Sequence, residues 1–137
     1  LVECLPYDDA VYMLKVTGAQ LERMLRHVLR DEAFQGEHTE FYQFSHGMHI
    51  VWSRSTQTFR TLTLDGEVLY ADRLYTVAMQ KYHYNNLKAF LNITLEEAEE
   101  NGKIRVLSTS ARDVVEEYLM VNQHLNRWVE GRLVVED

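Results

Sequence analysis

The spacing of apolar residues near the start of the chain changes at a single glycine. Branched and apolar residues dominate from Val11 to Val16, which predicts a strand. After Gly18, apolar residues recur at intervals of three and four, which predicts a helix from about Ala19 to Arg30 with one buried face. That face would consist of Leu21, Met24, Leu25, Val28 and Leu29. The polar stretch 31–39 that follows predicts a surface loop.

The middle of the chain has the pattern of strands joined by turns. Phe41–Trp52 is predicted to form one long strand or two short ones. Phe59–Leu64 predicts another strand, closed by Asp65-Gly66, a dipeptide that favours a hairpin. Tyr75–Tyr82 completes this β-rich region.

The last third of the chain carries helix signals between two further strands. Thr94 and Glu97 form a capping-box pattern that predicts a short acidic helix, which Gly102 ends. A strand is predicted at 103–107, and Thr109 or Ser110 can cap a last long helix. The buried stripe of that helix would consist of Val114, Val115, Tyr118 and Leu119, and 131–135 would return as a terminal strand. Helices interspersed with hairpins, rather than regular βα units, predict an α+β fold with a mixed or antiparallel sheet and packed helices.

Composition limits the classes of partner. The 137 residues suit one domain, and an apolar fraction of 46% is enough for a core. The net charge of −7 argues against a nucleic-acid partner, because a phosphate-tracking surface needs a basic stripe. A free nucleotide needs only a local pocket and stays possible. No apolar run approaches the roughly 20 residues of a membrane span, and the localisation stays open.

The residues that could carry catalysis are scattered. His46 and His49 would lie on opposite faces of a strand, and the other four histidines form no ligand-spaced set. Ser45 and His46 are neighbours in sequence, which does not by itself make a catalytic triad. The single Cys4 has no histidine near it in sequence. We therefore expect no metal site, no cofactor and no catalytic residue in this chain.

Four stretches together resemble a known family. They are Leu5–Asp9 running into the first strand, Glu40–Gly47, Leu74–Tyr82 and Glu130–Leu133. Their order and spacing resemble the C-terminal domain of the 5'-nucleotidase and UDP-sugar hydrolase family over nearly the whole chain. The resemblance implies that 1–137 is a single C-terminal, substrate-binding α+β domain of a larger phosphohydrolase. It also implies an N-terminal metallophosphoesterase domain that holds the divalent metal ions, so that this chain alone would be inactive.

The same resemblance implies a ligand site. Such domains hold a base between two aromatic rings, and the matching positions are Tyr7 and Tyr82, with Asp9 as a polar contact. Where the family has a Gly-Gly-Asp-Gly turn after the second aromatic residue, this chain has 83–88 without glycine. The ligand could be a nucleotide or another small phosphate ester. The alternative is a degenerate structural or protein-interaction module that has lost the site.

Overall fold

The computed structural model describes residues 7–35 and 42–137. Within those ranges it has seven strands, five α-helices and a 3-10 turn at Asp31–Phe34. The chain divides into two compact units, the first comprising 7–16 and 74–127 and the second comprising 17–73 and 128–137. The elements are β1 (Val11–Thr17), α1 (Gly18–Val28), β2 (Met48–Ser53), β3 (Thr58–Leu64), β4 (Glu67–Val68), β5 (Leu74–Gln80), α2 (Lys81–Asn85), α3 (Leu87–Leu91), α4 (Leu95–Glu100), β6 (Arg105–Ser108), α5 (Ala111–Val121) and β7 (Leu133–Glu136).

The first unit contains a three-stranded sheet in the order β5-β1-β6, with β1 and β6 antiparallel. Alternation fixes the faces of β1, because Leu14 and Val16 are buried while Lys15 between them is exposed. Four further buried side chains complete the core of this unit: Leu87, Leu91, Ile93 and Ala98. The predicted strand at the start of the chain is confirmed.

Both predicted helix starts in the first unit are confirmed. Thr94 and Glu97 form a full capping box at α4, and the Ser110 hydroxyl accepts from the Asp113 N–H at 3.0 Å at α5. The predicted buried stripe of α5 is wrong, since Val114 and Tyr118 are 47% and 44% exposed. Helical spacing identifies an apolar face but does not supply an element to cover it.

The second unit contains a mixed four-stranded sheet in the order β4-β3-β2-β7. β2 and β3 form an antiparallel hairpin, whereas β7 lies parallel to β2. Asp65 and Gly66 join β3 to β4 with φ of +51° and +82°, the geometry of the predicted hairpin turn. The predicted strand at 41–52 begins only at Met48; residue 41, like 36–39 of the predicted loop, lies outside the described residues.

Helix α1 belongs to the second unit and buries its apolar face within it. Thr17 and Gln20 form a capping box at its start, and Met24, Leu25, Val28 and Leu29 are buried as predicted. Leu21 is only half-buried. The longest described helices have 11 residues. No helix in these ranges combines the length and apolar character needed to cross a bilayer.

The predicted terminal strand is confirmed, and a cluster of charged residues lies just before it in the chain. Glu130 accepts from Arg132 Nε at 2.9 Å and lies 3.1 Å from His46 Nδ1. The hydrogen bond from Arg132, followed by that from His46, lowers the pKa of Glu130 to about 2. Arg132 also donates to the Phe44 carbonyl at 2.7 Å, so the segment before β2 is tied to the start of β7.

Candidate functional site

The three residues predicted to bind a ligand lie at one end of the sheet in the first unit. The Lys81 N–H donates to the Ala10 carbonyl at 2.8 Å, where β1 begins and β5 has just ended. Tyr82 directly follows Lys81, and Tyr7 is three residues before Ala10. Because an extended chain advances about 3.3–3.6 Å per residue, the backbone of Tyr7 is within about 11 Å of Ala10. The fold therefore brings Tyr7, Asp9 and Tyr82 to the same sheet end.

Both tyrosine rings are accessible, although they are supported differently. Tyr82 is 50% exposed and contacts the rings of Phe90 and His83, with centroids at 5.4 and 5.6 Å. Tyr7 is 82% exposed and makes no ring contact with any described residue. Tyr82 lies in α2 rather than at the end of a strand, because β5 stops at Gln80. The helix places Tyr82 against Phe90, which limits the rotamers available to its ring.

The two neighbouring aspartates differ in their partners. Asp8 accepts from the Ser110 hydroxyl at 2.8 and 3.0 Å and from the Arg112 N–H at 3.1 Å. The backbone hydrogen bond from Arg112, followed by the one from Ser110, lowers the pKa of Asp8. Asp9 uses its carbonyl to accept from the Ala111 N–H at 2.9 Å. Its carboxylate has no hydrogen bond or ion pair with any described residue, so it can accept from a ligand.

The role of Asp8 was not found from the sequence. Its carboxylate extends the capping of α5 across 102 residues of sequence, in addition to the Ser110 side chain. The recognisable signal was the helix start at Ser110, but nothing in local spacing connects it to an acid near the other end of the chain. As a result, the segment that carries Tyr7 and Asp9 is tied to the first turn of α5.

A second aromatic pair in the first unit was also missed. The rings of Tyr12 on β1 and Tyr84 on α2 stack with centroids 4.1 Å apart and planes within 7°. They line a cavity of about 450 Å³. Burial raises the pKa of Tyr84, and the nearby Tyr12 and Glu99 raise it further. The sequence showed only two tyrosines 72 positions apart, since 84 minus 12 is 72.

The described residues do not form a metal site. Within 7–35 and 42–137, no group of three or more His, Cys, Asp or Glu side chains could hold a metal ion. The divalent ions that the family resemblance implies would lie in the N-terminal domain, and we assign no reaction step to a metal among these residues. What the site offers is two accessible aromatic rings and one carboxylate that has no partner among the described residues.

Comparison with known families identifies the family of this domain. The family model described as "5'-nucleotidase, C-terminal domain" matches residues 1–93. The chain belongs to the 5'-nucleotidase C-terminal domain family. The resemblance seen in the sequence is confirmed, and the match includes all three residues of the candidate site, Tyr7, Asp9 and Tyr82.

Solved structures share the fold of this 5'-nucleotidase C-terminal domain. A 5'-nucleotidase precursor from Thermus thermophilus matches with a TM-score of 0.77 and 16% identity, over 99% of this chain and 27% of that one. The sulfate thiohydrolase SoxB from Thermus thermophilus, solved with glycerol, matches with a TM-score of 0.55 and 20% identity, over 93% and 22%. No curated protein matches the sequence significantly. The predicted α+β class is confirmed, and the chain spans about a quarter of the length of these structures.

Proposed function

We propose that this chain binds the nucleoside end of a nucleotide, or the corresponding group of another small phosphate ester, and orients it for hydrolysis elsewhere in the same protein. In this proposal 1–137 is a single C-terminal domain, and an N-terminal metallophosphoesterase domain is its partner. The observation that carries the proposal is that two accessible tyrosines, Tyr7 and Tyr82, come to one sheet end beside the Asp9 carboxylate, which has no partner in the part of the chain that the structure describes. Membership of the 5'-nucleotidase family supports it.

The two rings would supply most of the affinity for the ligand. Stacking of a base on an aromatic side chain contributes about 1–3 kcal/mol and tolerates different bases. Tyr82 is already held against Phe90, so it loses less side-chain freedom on binding than an unsupported ring would. Asp9 would accept from a ribose hydroxyl or from a donor on the base, because an ionised carboxylate accepts but does not donate.

In this proposal the chain binds and orients the ligand, and the N-terminal domain carries out the hydrolysis. Holding the leaving group in one orientation lowers the entropic part of the barrier, which is how a binding domain accelerates a reaction it does not carry out. The divalent metal ions implied by the family resemblance belong, in this proposal, to the N-terminal domain. The purified chain should therefore not hydrolyse nucleotides, even with added Mn²⁺, and turnover free of contaminating phosphatase would contradict the proposal.

Titration calorimetry with AMP, UMP and adenosine tests the binding role. We expect Tyr82→Ala to weaken binding about 5- to 150-fold, the equivalent of 1–3 kcal/mol of stacking. Tyr118→Ala is the matched control, since Tyr118 is also a helical tyrosine, 44% exposed, in the same unit. Equal affinity in wild type, Tyr7→Ala and Tyr82→Ala would reject the aromatic site.

A second candidate function is a structural or protein-interaction module that has lost its ligand site. It is favoured by the segment 83–88, where helices α2 and α3 occupy the place of the family's glycine turn. The uncovered apolar face of α5 is also typical of an interaction surface. This candidate predicts no binding of any nucleotide at millimolar concentration to a fully folded chain.

A further inference from the structure

Asn101 and Gly102 form the only Asn-Gly pair in the sequence, and they lie in the turn between α4 and β6. This dipeptide is chemically labile wherever it is free to move. The backbone nitrogen of the glycine can attack the side-chain carbonyl carbon Cγ of the asparagine, and glycine has no Cβ to obstruct the approach. Every other asparagine in the sequence is followed by a residue that has a side chain.

The fold gives both residues a structural reason. Asn101 caps the C-terminus of α4, and Gly102 has a φ of +146°, which L side chains rarely adopt. A residue with a Cβ at 102 would strain the turn. The backbone geometry that ends α4 therefore also leaves Asn101 beside an unobstructed nitrogen. Both residues are only half-buried, so water reaches the turn.

In the folded chain the two reacting atoms are held apart. Asn101 donates from Nδ2 to the Lys15 carbonyl of β1 at 3.2 Å, and the Gly102 N–H donates to the Glu99 carbonyl at 3.1 Å. Asn101 has a φ of −80° and a ψ of −14°, the conformation of a helix end. The Gly102 nitrogen can face Cγ only after rotation about the Asn101 Cα–C bond, which breaks this helix end and its hydrogen bond to Glu99. The reaction therefore requires local opening of the turn.

We propose that Asn101 is a site of spontaneous deamidation that the fold suppresses, so that its conversion follows local opening of the α4–β6 turn. The Gly102 nitrogen loses its proton to solvent and bonds to Asn101 Cγ, while the Cγ–Nδ2 bond breaks and the leaving nitrogen takes up a proton and departs as ammonia. Water then opens the succinimide at either carbonyl, which yields aspartate or isoaspartate. Neither product has a side-chain N–H to donate to the Lys15 carbonyl, so the conversion removes this link between α4 and β1. The site does not depend on the function proposed for Tyr7 and Tyr82.

Peptide mass spectrometry after timed incubation in mildly alkaline buffer measures the conversion of each asparagine. Asn122 is the internal control, because it also caps a helix C-terminus and donates from Nδ2 to a carbonyl, that of Tyr118, at 2.9 Å, but is followed by Gln123. In guanidinium chloride we expect Asn101 to convert at least about tenfold faster than Asn122. In the folded chain Asn101 should convert at least about tenfold more slowly than in denaturant. Equal conversion of Asn101 and Asn122 in denaturant would overturn the site, and equal conversion of Asn101 in the folded and unfolded chain would overturn its suppression by the fold.

Matched cap variants test whether opening of α4 sets the rate. Thr94 begins α4 with a capping box that includes Glu97, and Thr17 begins α1 of the second unit in the same way with Gln20. Thr94→Ala should raise the conversion rate of Asn101 in the folded chain about fivefold, the change in open population that loss of a typical cap produces. Glu97→Ala, which removes the other half of the box, should act in the same direction, whereas Thr17→Ala should leave the rate unchanged. Far-ultraviolet circular dichroism shows that each variant is folded. A rate unchanged by both α4 variants, or raised equally by Thr17→Ala, would overturn control by this turn.

Discussion

Arg26 is predicted to stabilise the second unit more than its surface position suggests. Its guanidinium lies 5.1 Å from the ring centre of Phe59 and 5.9 Å from that of Trp52. It also donates to the Gln57 carbonyl at 3.0 Å and to a Glu22 carboxylate oxygen at 2.7 and 3.2 Å. One side chain therefore joins α1 to the β2–β3 hairpin and covers a tryptophan that is 1% exposed. The perturbation is Arg26→Ala.

The magnitude follows from these contacts. A cation over an aromatic face at an exposed site contributes about 0.5–1 kcal/mol. A helical ion pair four residues apart adds about 0.3–0.5 kcal/mol, and the hydrogen bond to Gln57 about 1 kcal/mol because the arginine is partly solvated. We expect Arg26→Ala to lower the free energy of unfolding by about 2 kcal/mol, and Arg26→Lys by about half as much, since lysine keeps the charge but lacks the planar fork.

Urea unfolding followed by Trp52 fluorescence measures this effect. The chain has two tryptophans, so a Trp128→Phe background leaves Trp52, beside Arg26, as the sole reporter. With a slope of about 1–3 kcal/mol per molar urea, the loss should lower the midpoint by about 1 M. Glu22→Ala is the control, because it removes only the ion pair. If Arg26→Ala and Glu22→Ala lower the midpoint equally, then the contacts with the rings and the carbonyl contribute nothing and the reasoning is refuted.

Three further predictions concern single positions. Ile93→Ala removes a fully buried side chain and should cost about 2–5 kcal/mol, measured by thermal unfolding followed by circular dichroism. Glu130 has its pKa lowered from 4.5 to about 2, so its contribution to stability is present above pH 4.5 and is lost as the pH falls towards 2. Glu130→Gln should flatten the pH dependence of the urea midpoint in that window, and an unchanged slope would contradict this. Gly47→Ala and Gly66→Ala should each lower the melting temperature, because both glycines have positive φ, +93° and +82°, which L side chains rarely adopt; unchanged melting temperatures in both variants would count against it.

Local patterns predicted most of the elements because their causes are local. The capping box at Thr94 and the turn at Asp65-Gly66 each need only four neighbouring residues, and both form as expected. The apolar spacing of α1 likewise predicted its buried face. Burial of α5 was predicted wrongly because an amphipathic pattern states which face is apolar, whereas burial depends on whether another element lies against it.

The candidate site was less predictable, because its geometry depends on distant pairings. Tyr7 and Tyr82 were found only through resemblance to a family, and no local rule joins them. Their approach depends on the Lys81 N–H reaching the Ala10 carbonyl, a pairing across 71 positions, since 81 minus 10 is 71. The Tyr12–Tyr84 stack is equally non-local. Position 82 was expected at a strand end, and the helical start at Lys81 changes which neighbours support its ring.

The hydrogen bonds of Asp8 and Asp9 hold their backbone in place while the Asp9 carboxylate stays available to a ligand. Asp8 is held by Ser110 and the first turn of α5, and its lowered pKa keeps it ionised well below neutral pH. This anchoring, together with the hydrogen bond from Ala111 to the Asp9 carbonyl, fixes the backbone on both sides of the Asp9 Cα. The Asp9 carboxylate is left without a described partner. A binding group that is positioned by its backbone and not by its own side chain keeps its full hydrogen-bonding capacity for a ligand, which is the arrangement that the proposed function requires.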